Sequence, residues 1–134
     1  MQGYVKIDKT PILSRQVEDP DYYVILDPTL GIEARPKDAK GAGHISMREK
    51  SIVLFNSPEK VVSPVLKKRK VHTYHVDATE LALAHLKANI PNTVMLGALA
   101  KLFNKVSMKS LKAAMEGMPR EDFAAFDEGY KEVK

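Results

Sequence analysis

Hydrophobic and polar positions divide this chain into a front half of short apolar runs and a back half with helical periodicity. From Gly3 to Asp8 the two kinds alternate, with Tyr4, Lys6 and Asp8 on one side of an extended chain and Val5 and Ile7 on the other. Alternation with period two predicts a half-exposed strand. Lys9-Thr10-Pro11 reads as a turn, and Ile12–Arg15 as the returning strand of a hairpin. Tyr22–Leu26 is a continuous apolar run of β-formers ended by Asp27-Pro28-Thr29. Such a run fits a strand covered on both faces, so it reads as the central strand of a parallel sheet. Ser51–Asn56 is a second apolar strand, and Val71–Val76 alternates as a third.

After Val76 the period changes from two to that of a helix. Asp77-Ala78-Thr79-Glu80 has the form of a capping box, with Asp77 at the N-cap and Glu80 three residues on. The helix runs through Leu81, Leu83 and Leu86 towards Ala88, and Asn89-Ile90-Pro91 breaks it. The next segment, Asn92 to Lys101, is the longest nearly uncharged stretch of the chain. Val94, Met95, Leu96, Leu99, Leu102 and Phe103 cover more than one helical face, which predicts a buried helix. Asn92 is expected to cap its first turn. Gly97 costs about 1 kcal/mol of helix propensity relative to Ala, which implies a second backbone packed close to it. Ser107 caps a further helix in which Met108, Leu111, Met115 and Met118 face inward. Pro119 suits the first position of a last helix with Phe123, Phe126 and Tyr130 on one stripe. Strands first and helices after, with two-sided apolar runs, predict an α/β layered fold with helices concentrated in the C-terminal half.

Composition narrows the picture in two respects. A chain of 134 residues is one domain's worth. It has no cysteine, hence no disulfide, no thiolate nucleophile and no Cys-ligated iron–sulfur cluster. A cytoplasmic location fits this usage, and Met1 to Asp8 lacks the apolar core of a signal peptide. The apolar stretch around Leu96 is shorter than the roughly 20 residues a membrane span needs.

The formal net charge is +4. Its clearest concentration is Lys67-Lys68-Arg69-Lys70, with Lys60 upstream. This cluster reads either as a solvated loop or as a site for an anionic partner or phosphate-bearing cofactor. No aromatic residue interleaves it and no nucleic-acid-binding motif surrounds it, so no nucleic acid is expected as a partner. The N-terminus of the Asn92 helix, with Asn92 and Thr93, is a second candidate place for an anion. Other constellations read as structural. His72 and His75 point to opposite faces of a strand and do not form a two-ligand metal site. His44 and His85 have no partners at ligand spacing. The acid pairs Asp19/Asp21 and Glu121/Asp122 fall in a turn and in a first helical turn, where the dipole stabilises carboxylates. Gly41-Ala42-Gly43-His44 reads as a flexible turn, and Asp27 as a cap of the turn that follows the Tyr22 strand.

Three segments together carry a family resemblance. They are Tyr4–Ile12, Asp19–Leu30, and Val76–Thr79 followed by Asn92-Thr93-Val94-Met95-Leu96-Gly97-Ala98-Leu99-Ala100-Lys101. In order and spacing, together with the closing Gly129-Tyr130, they resemble the gamma subunit or equivalent domain of the 2-oxoacid:ferredoxin oxidoreductases of the pyruvate synthase type. The family's Gly-rich opening strand and helix have no counterpart here. The resemblance thus implies a single, truncated gamma-type domain over residues 1–134, with loop-rich segments at 31–50 and 57–70. It implies a three-layer α/β/α domain with a mostly parallel sheet. It implies a supporting, non-catalytic part in the oxidative decarboxylation of a 2-oxoacid to an acyl-CoA, with ferredoxin as acceptor. Thiamine diphosphate, iron–sulfur clusters and coenzyme A are implied for the complex, mainly on other subunits. No catalytic residue is carried over. A sheet lacking a strand exposes an edge, which favours a heteromer or self-association. The other reading of the same residues is a free-standing α/β binding or regulatory module without redox activity.

Overall fold

The computed structural model describes residues 3–14, 17, 19–28 and 49–134. Among them, three strands and five helices follow in the order β1 (Tyr22–Ile25), β2 (Ile52–Asn56), α1 (Pro64–Arg69), β3 (His72–Val76), α2 (Ala78–Leu86), α3 (Asn92–Leu102), α4 (Met108–Ala114) and α5 (Arg120–Glu132). The sheet has the order β1-β2-β3 and is parallel throughout. Tyr22 pairs with Ile52, and Ile52 in turn with His72.

Successive side chains on a strand point to opposite faces, and β2 uses both. Val53 and Phe55 pack with Leu66 of α1 and with Tyr23, Ile25, Val61 and Val71. Leu54 packs on the other side with Val76, with Ala78 and Ala82 of α2, with Val94, Met95 and Ala98 of α3, and with Ala125 of α5. The sheet is thus sandwiched between α1 and the α2/α3/α5 layer, the expected three-layer α/β/α arrangement. None of the helices is long and apolar enough to cross a membrane among the described residues.

The central strand is β2, and the Tyr22 run forms an outer strand. Its apolar character has a local cause. The Tyr22 ring sits edge-on to Phe103, with centroids 5.0 Å apart, and Tyr23 and Ile25 join the α1-side cluster. Val24 and Leu26 are exposed. Gly3 to Asp8 also departs from expectation. The chain reverses around Lys9 and Thr10, and Lys6 Nζ donates to Ser14 Oγ at 3.1 Å across the reversal. No ladder forms, so there is neither strand nor β-hairpin among the described residues of this segment.

Local helix signals hold where the cap is a short polar side chain. Asp77 Oδ1 accepts the Glu80 N–H at 3.0 Å, and Ser107 Oγ accepts the Ser110 N–H at 3.1 Å. Ser63 caps α1 in the same way, at 3.3 Å. The Asn92 helix differs. Pro91 occupies its N-cap without a side-chain cap bond, and Asn92 is the first helical residue. Pro119 likewise sits at the N-cap of α5, one position earlier than predicted. Met115 is buried, Met108 and Leu111 are half-buried, and Met118 is exposed because Gly117, at φ +90°, turns the chain outward first. The loop predicted over Gly31–Gly43 and the Gly41–His44 turn lie outside the described residues.

Candidate functional site

Ligands of open α/β sheets bind beyond the carboxyl ends of the strands. Here that edge is knotted together by one buried side chain. Asn56 Nδ2 donates to the Leu26 carbonyl at 3.0 Å and to Thr79 Oγ1 at 2.9 Å. Its Oδ1 accepts the Thr79 N–H at 3.2 Å. One amide thereby joins the end of β1, the end of β2 and the first turn of α2, with both N–H donors and its oxygen engaged on the scaffold.

Beside this knot lies a cleft of about 160 Å³ lined by His75, Asp77, Glu80, Glu132 and Lys134 with Pro58, Val76 and Leu81. His75 Nδ1 lies 3.3 Å from the Ser57 carbonyl, a contact that requires the proton on Nδ1. Sequence spacing offers no sign of this grouping, because α2 and α5 bring its charged residues together from separate segments. The cleft is smaller than the roughly 300–1,000 Å³ of a small-molecule site. Three of its side chains are carboxylates, which repel a pyrophosphate. It does not fit thiamine diphosphate or coenzyme A. A cluster-ligating set does not fit either: there is no cysteine, and no His/Asp/Glu group of three converges among the described residues. No buried side-chain nitrogen or oxygen there lacks a partner.

The residues singled out from sequence fall in two separate places. Lys67, Lys68, Arg69 and Lys70 are exposed at the C-terminal end of α1. The Lys70 backbone is left-handed (φ 53°), its N–H bonds to the Lys67 carbonyl, and its own carbonyl accepts the Lys50 N–H at 3.3 Å. Lys50 is left-handed as well (φ 67°). A fifth cation, unmarked by sequence proximity, therefore joins the cluster. The patch lies at the amino edge of the sheet, where β2 and β3 begin, and the cations also complement the α1 dipole.

Asn92 and Thr93 are on the opposite layer. Asn92 is exposed. Thr93 is buried, and its Oγ1 donates to Asp122 Oδ1 of α5 at 3.1 Å. That carboxylate already supplies negative charge at this end of α3, so an anion arriving there meets a like charge.

Among the described residues, the polar side chains at this edge and at the start of α3 are engaged in joining strands and helices. The pyruvate/ketoisovalerate oxidoreductases common subunit gamma of Pyrococcus furiosus is 35% identical over 118 residues, covering 85% of this chain and 60% of that protein. The pyruvate synthase subunit PorC of Methanothermobacter marburgensis is 37% identical over 112 residues, covering 83% and 56%. The crystal structure of the pyruvate oxidoreductase subunit PORC of Thermotoga maritima superposes with a TM-score of 0.67 at 32% identity, covering 90% of this chain and 67% of that one. The chain spans about 60% of the length of the curated relatives it matches. The family model described as pyruvate ferredoxin/flavodoxin oxidoreductase matches residues 1–132, and the chain belongs to that family.

Proposed function

We propose that this chain is a non-catalytic, gamma-type subunit or fragment of a 2-oxoacid (pyruvate-type):ferredoxin oxidoreductase. It supports the oxidative decarboxylation of a 2-oxoacid to an acyl-CoA carried out by other chains. The observation that carries this reading is the family match over residues 1–132. The chemistry of the chain supports it. With no cysteine, residues 1–134 supply no thiolate ligand to an iron–sulfur cluster. Thiamine diphosphate and coenzyme A belong to the complex in the same reading.

Lys67, Lys68, Arg69 and Lys70, with Lys50, are its proposed anion-docking residues, for coenzyme A phosphates or a partner's acidic face. They take precedence over Asn92 and Thr93, because Asp122 already occupies the neighbourhood of Thr93. The outer edge of β1 is the proposed place for a further strand, from another subunit or a second copy. A cytoplasmic location completes the proposal, in keeping with a chain that needs no oxidising compartment.

The test is affinity purification of the tagged chain from its own cells. The expected result is co-purification of thiamine-binding and iron–sulfur chains, with 2-oxoacid- and CoA-dependent reduction of ferredoxin by the complex. The isolated chain should show neither visible cluster absorbance nor 2-oxoacid oxidation. Recovery of the chain without such partners supports a free-standing binding module instead, and turnover by the chain alone overturns the subunit reading. Charge reversal at Lys67 to Lys70 should weaken assembly or CoA binding most at low ionic strength, since exposed charges are screened beyond about 10 Å at 0.1 M salt.

A further inference from the structure

The net charge of +4 is unevenly placed along the chain. Residues 29–70 hold ten Lys and Arg against four Asp and Glu, a net +6. The remaining residues hold eleven against thirteen, a net −2. Within the described residues this excess gathers at the amino edge of the sheet. Lys67, Lys68, Arg69 and Lys70 at the end of α1 are exposed, and so is Lys50, whose N–H bonds to the Lys70 carbonyl. None of the five is paired with a carboxylate among the described residues, where the ion pairs join Lys112 to Asp127 and Lys131 to Glu128 and Glu132. Like charges gathered this closely repel one another, and an arriving anion relieves the repulsion.

The rest of residues 1–134 is a poor source of that anion. Residues 29–48 hold Glu33 and Asp38 but also Arg35, Lys37, Lys40 and Arg48, so they add positive charge on balance. Asp77, Glu80 and Glu132 line the cleft at the opposite, carboxyl edge.

The shape of the patch separates two kinds of anion. At 3.6 residues per turn, Lys67, Lys68 and Arg69 fan out around the α1 axis, and Lys70 departs in the left-handed region (φ 53°). A pyrophosphate needs donors that converge on one point, as backbone N–H groups do at a helix N-terminus. Here the cations diverge from a helix C-terminus, whose carbonyls repel phosphate at close range. An adenine would also need a ring to stack on, and the aromatic residues between 49 and 76, Phe55 and Tyr74, are buried and half-buried. Divergent cations instead match carboxylates spread over a surface.

We infer that the patch of Lys50, Lys67, Lys68, Arg69 and Lys70 docks on an acidic face, several Asp and Glu side chains wide, of another subunit of the oxidoreductase. This rests on the proposed function and decides between the two anions named there, for protein carboxylates and against coenzyme A phosphates. Such pairs steer and orient assembly, and salt screens them.

The experiment uses the tagged full chain, purified from its own cells with its bound subunits. A carbodiimide joins a lysine amine to a carboxylate in contact with it, and peptide mass spectrometry identifies both residues. The expected result is links from Lys50, Lys67, Lys68 or Lys70 to Asp or Glu of another subunit. Links to Glu33 or Asp38 of the same chain, or to Asp77, Glu80 or Glu132 of a second copy, overturn the assignment, as does an absence of links while subunits remain bound. The variant Lys67→Glu/Lys68→Glu, which keeps the left-handed Lys70 and the buried Leu66, should recover about tenfold less of the subunits at low salt. Lys67→Arg/Lys68→Arg should recover them as wild type does. Equal recovery by the reversed variant overturns the patch and leaves the subunit reading intact. An amine-reactive label should modify these lysines in the purified chain equally with and without coenzyme A, and protection by coenzyme A assigns the patch to phosphates and overturns the proposal. A wild-type chain that recovers no subunits overturns the subunit reading itself, and the assigned partner with it.

Discussion

Gly97 of α3 lies against the main-chain carbonyl of Phe126 in α5, so close that a Cβ at position 97 would overlap that oxygen and come within 2.8 Å of the carbonyl carbon. The relation is reciprocal. Gly129 of α5 meets the carbonyl of Val94 in the same manner, again with 2.8 Å to the carbon. Each glycine therefore faces the residue three positions before the other. The two helices approach at backbone distance, and α3 is the element through which α5 reaches the Leu54 side of the sheet.

An alanine at either glycine should destabilise the fold, although alanine is the better helix former by about 1 kcal/mol. The overlapping atom is backbone and cannot rotate away. We expect Gly97→Ala and Gly129→Ala each to cost about 2–3 kcal/mol, read from urea unfolding midpoints. The double variant should cost less than the sum, since separating the helices once relieves both overlaps. Gly3→Ala, where a Cβ meets nothing within 4 Å, is the control and should be neutral.

Asn56→Asp tests the knot at the carboxyl edge. The replacement keeps the shape but turns the donor that faces the Leu26 carbonyl into an acceptor in a buried place. At neutral pH the loss should be about 3 kcal/mol. The introduced carboxyl is held protonated in the folded state, so its folded pKa lies above its unfolded one. The gap to wild type should therefore widen as pH rises from about 4 through the raised value, and stay constant above it. A pH-independent gap in thermal melts would show that the Asn56 amide is not bonded in this way.

Much of this was readable without coordinates. Asp77 and Ser107 announce their helices because a cap is a local bond, from a side-chain oxygen to an N–H three residues on. Gly97 could be read as a close approach because it breaks propensity inside an apolar helix. Gly129 stands in a helix with a charged outer face, between Glu128 and Tyr130, where a glycine has no such contrast. The Tyr22 run was misleading for a physical reason: an apolar run reports contact on both faces, and a strand at the edge of a sheet acquires that when Phe103 covers one face and the α1-side cluster the other. The alternation of Gly3 to Asp8 was real, but alternation specifies an extended chain and not a neighbouring strand to pair with, and both of its sides are exposed. The cleft at His75 was not legible, since its charged residues meet only after α2 and α5 have packed.

Asp8 offers a probe of the turn around Lys9 and Thr10. The Thr10 N–H, and after it the Thr10 hydroxyl, hold its carboxyl below the usual aspartate value. A depressed carboxylate favours the ordered turn above that value and releases it as pH falls through it. In an NMR titration the Asp8 carboxyl should change below about pH 4, together with the Thr10 amide. Thr10→Val, which keeps the N–H and removes the hydroxyl, should bring the midpoint part of the way back. An Asp8 that titrates like a free aspartate in the wild type would mean that the turn is not formed.

On the far side of the sheet from β1, His75 and Lys134 exchange both of their main-chain hydrogen bonds, at 2.9 and 3.0 Å. Two residues that do so are paired as in an antiparallel ladder, which closes the carboxyl half of the outer edge of β3. That stretch of the edge is closed to a strand from another chain, so edge-to-edge addition cannot run through the carboxyl half of β3.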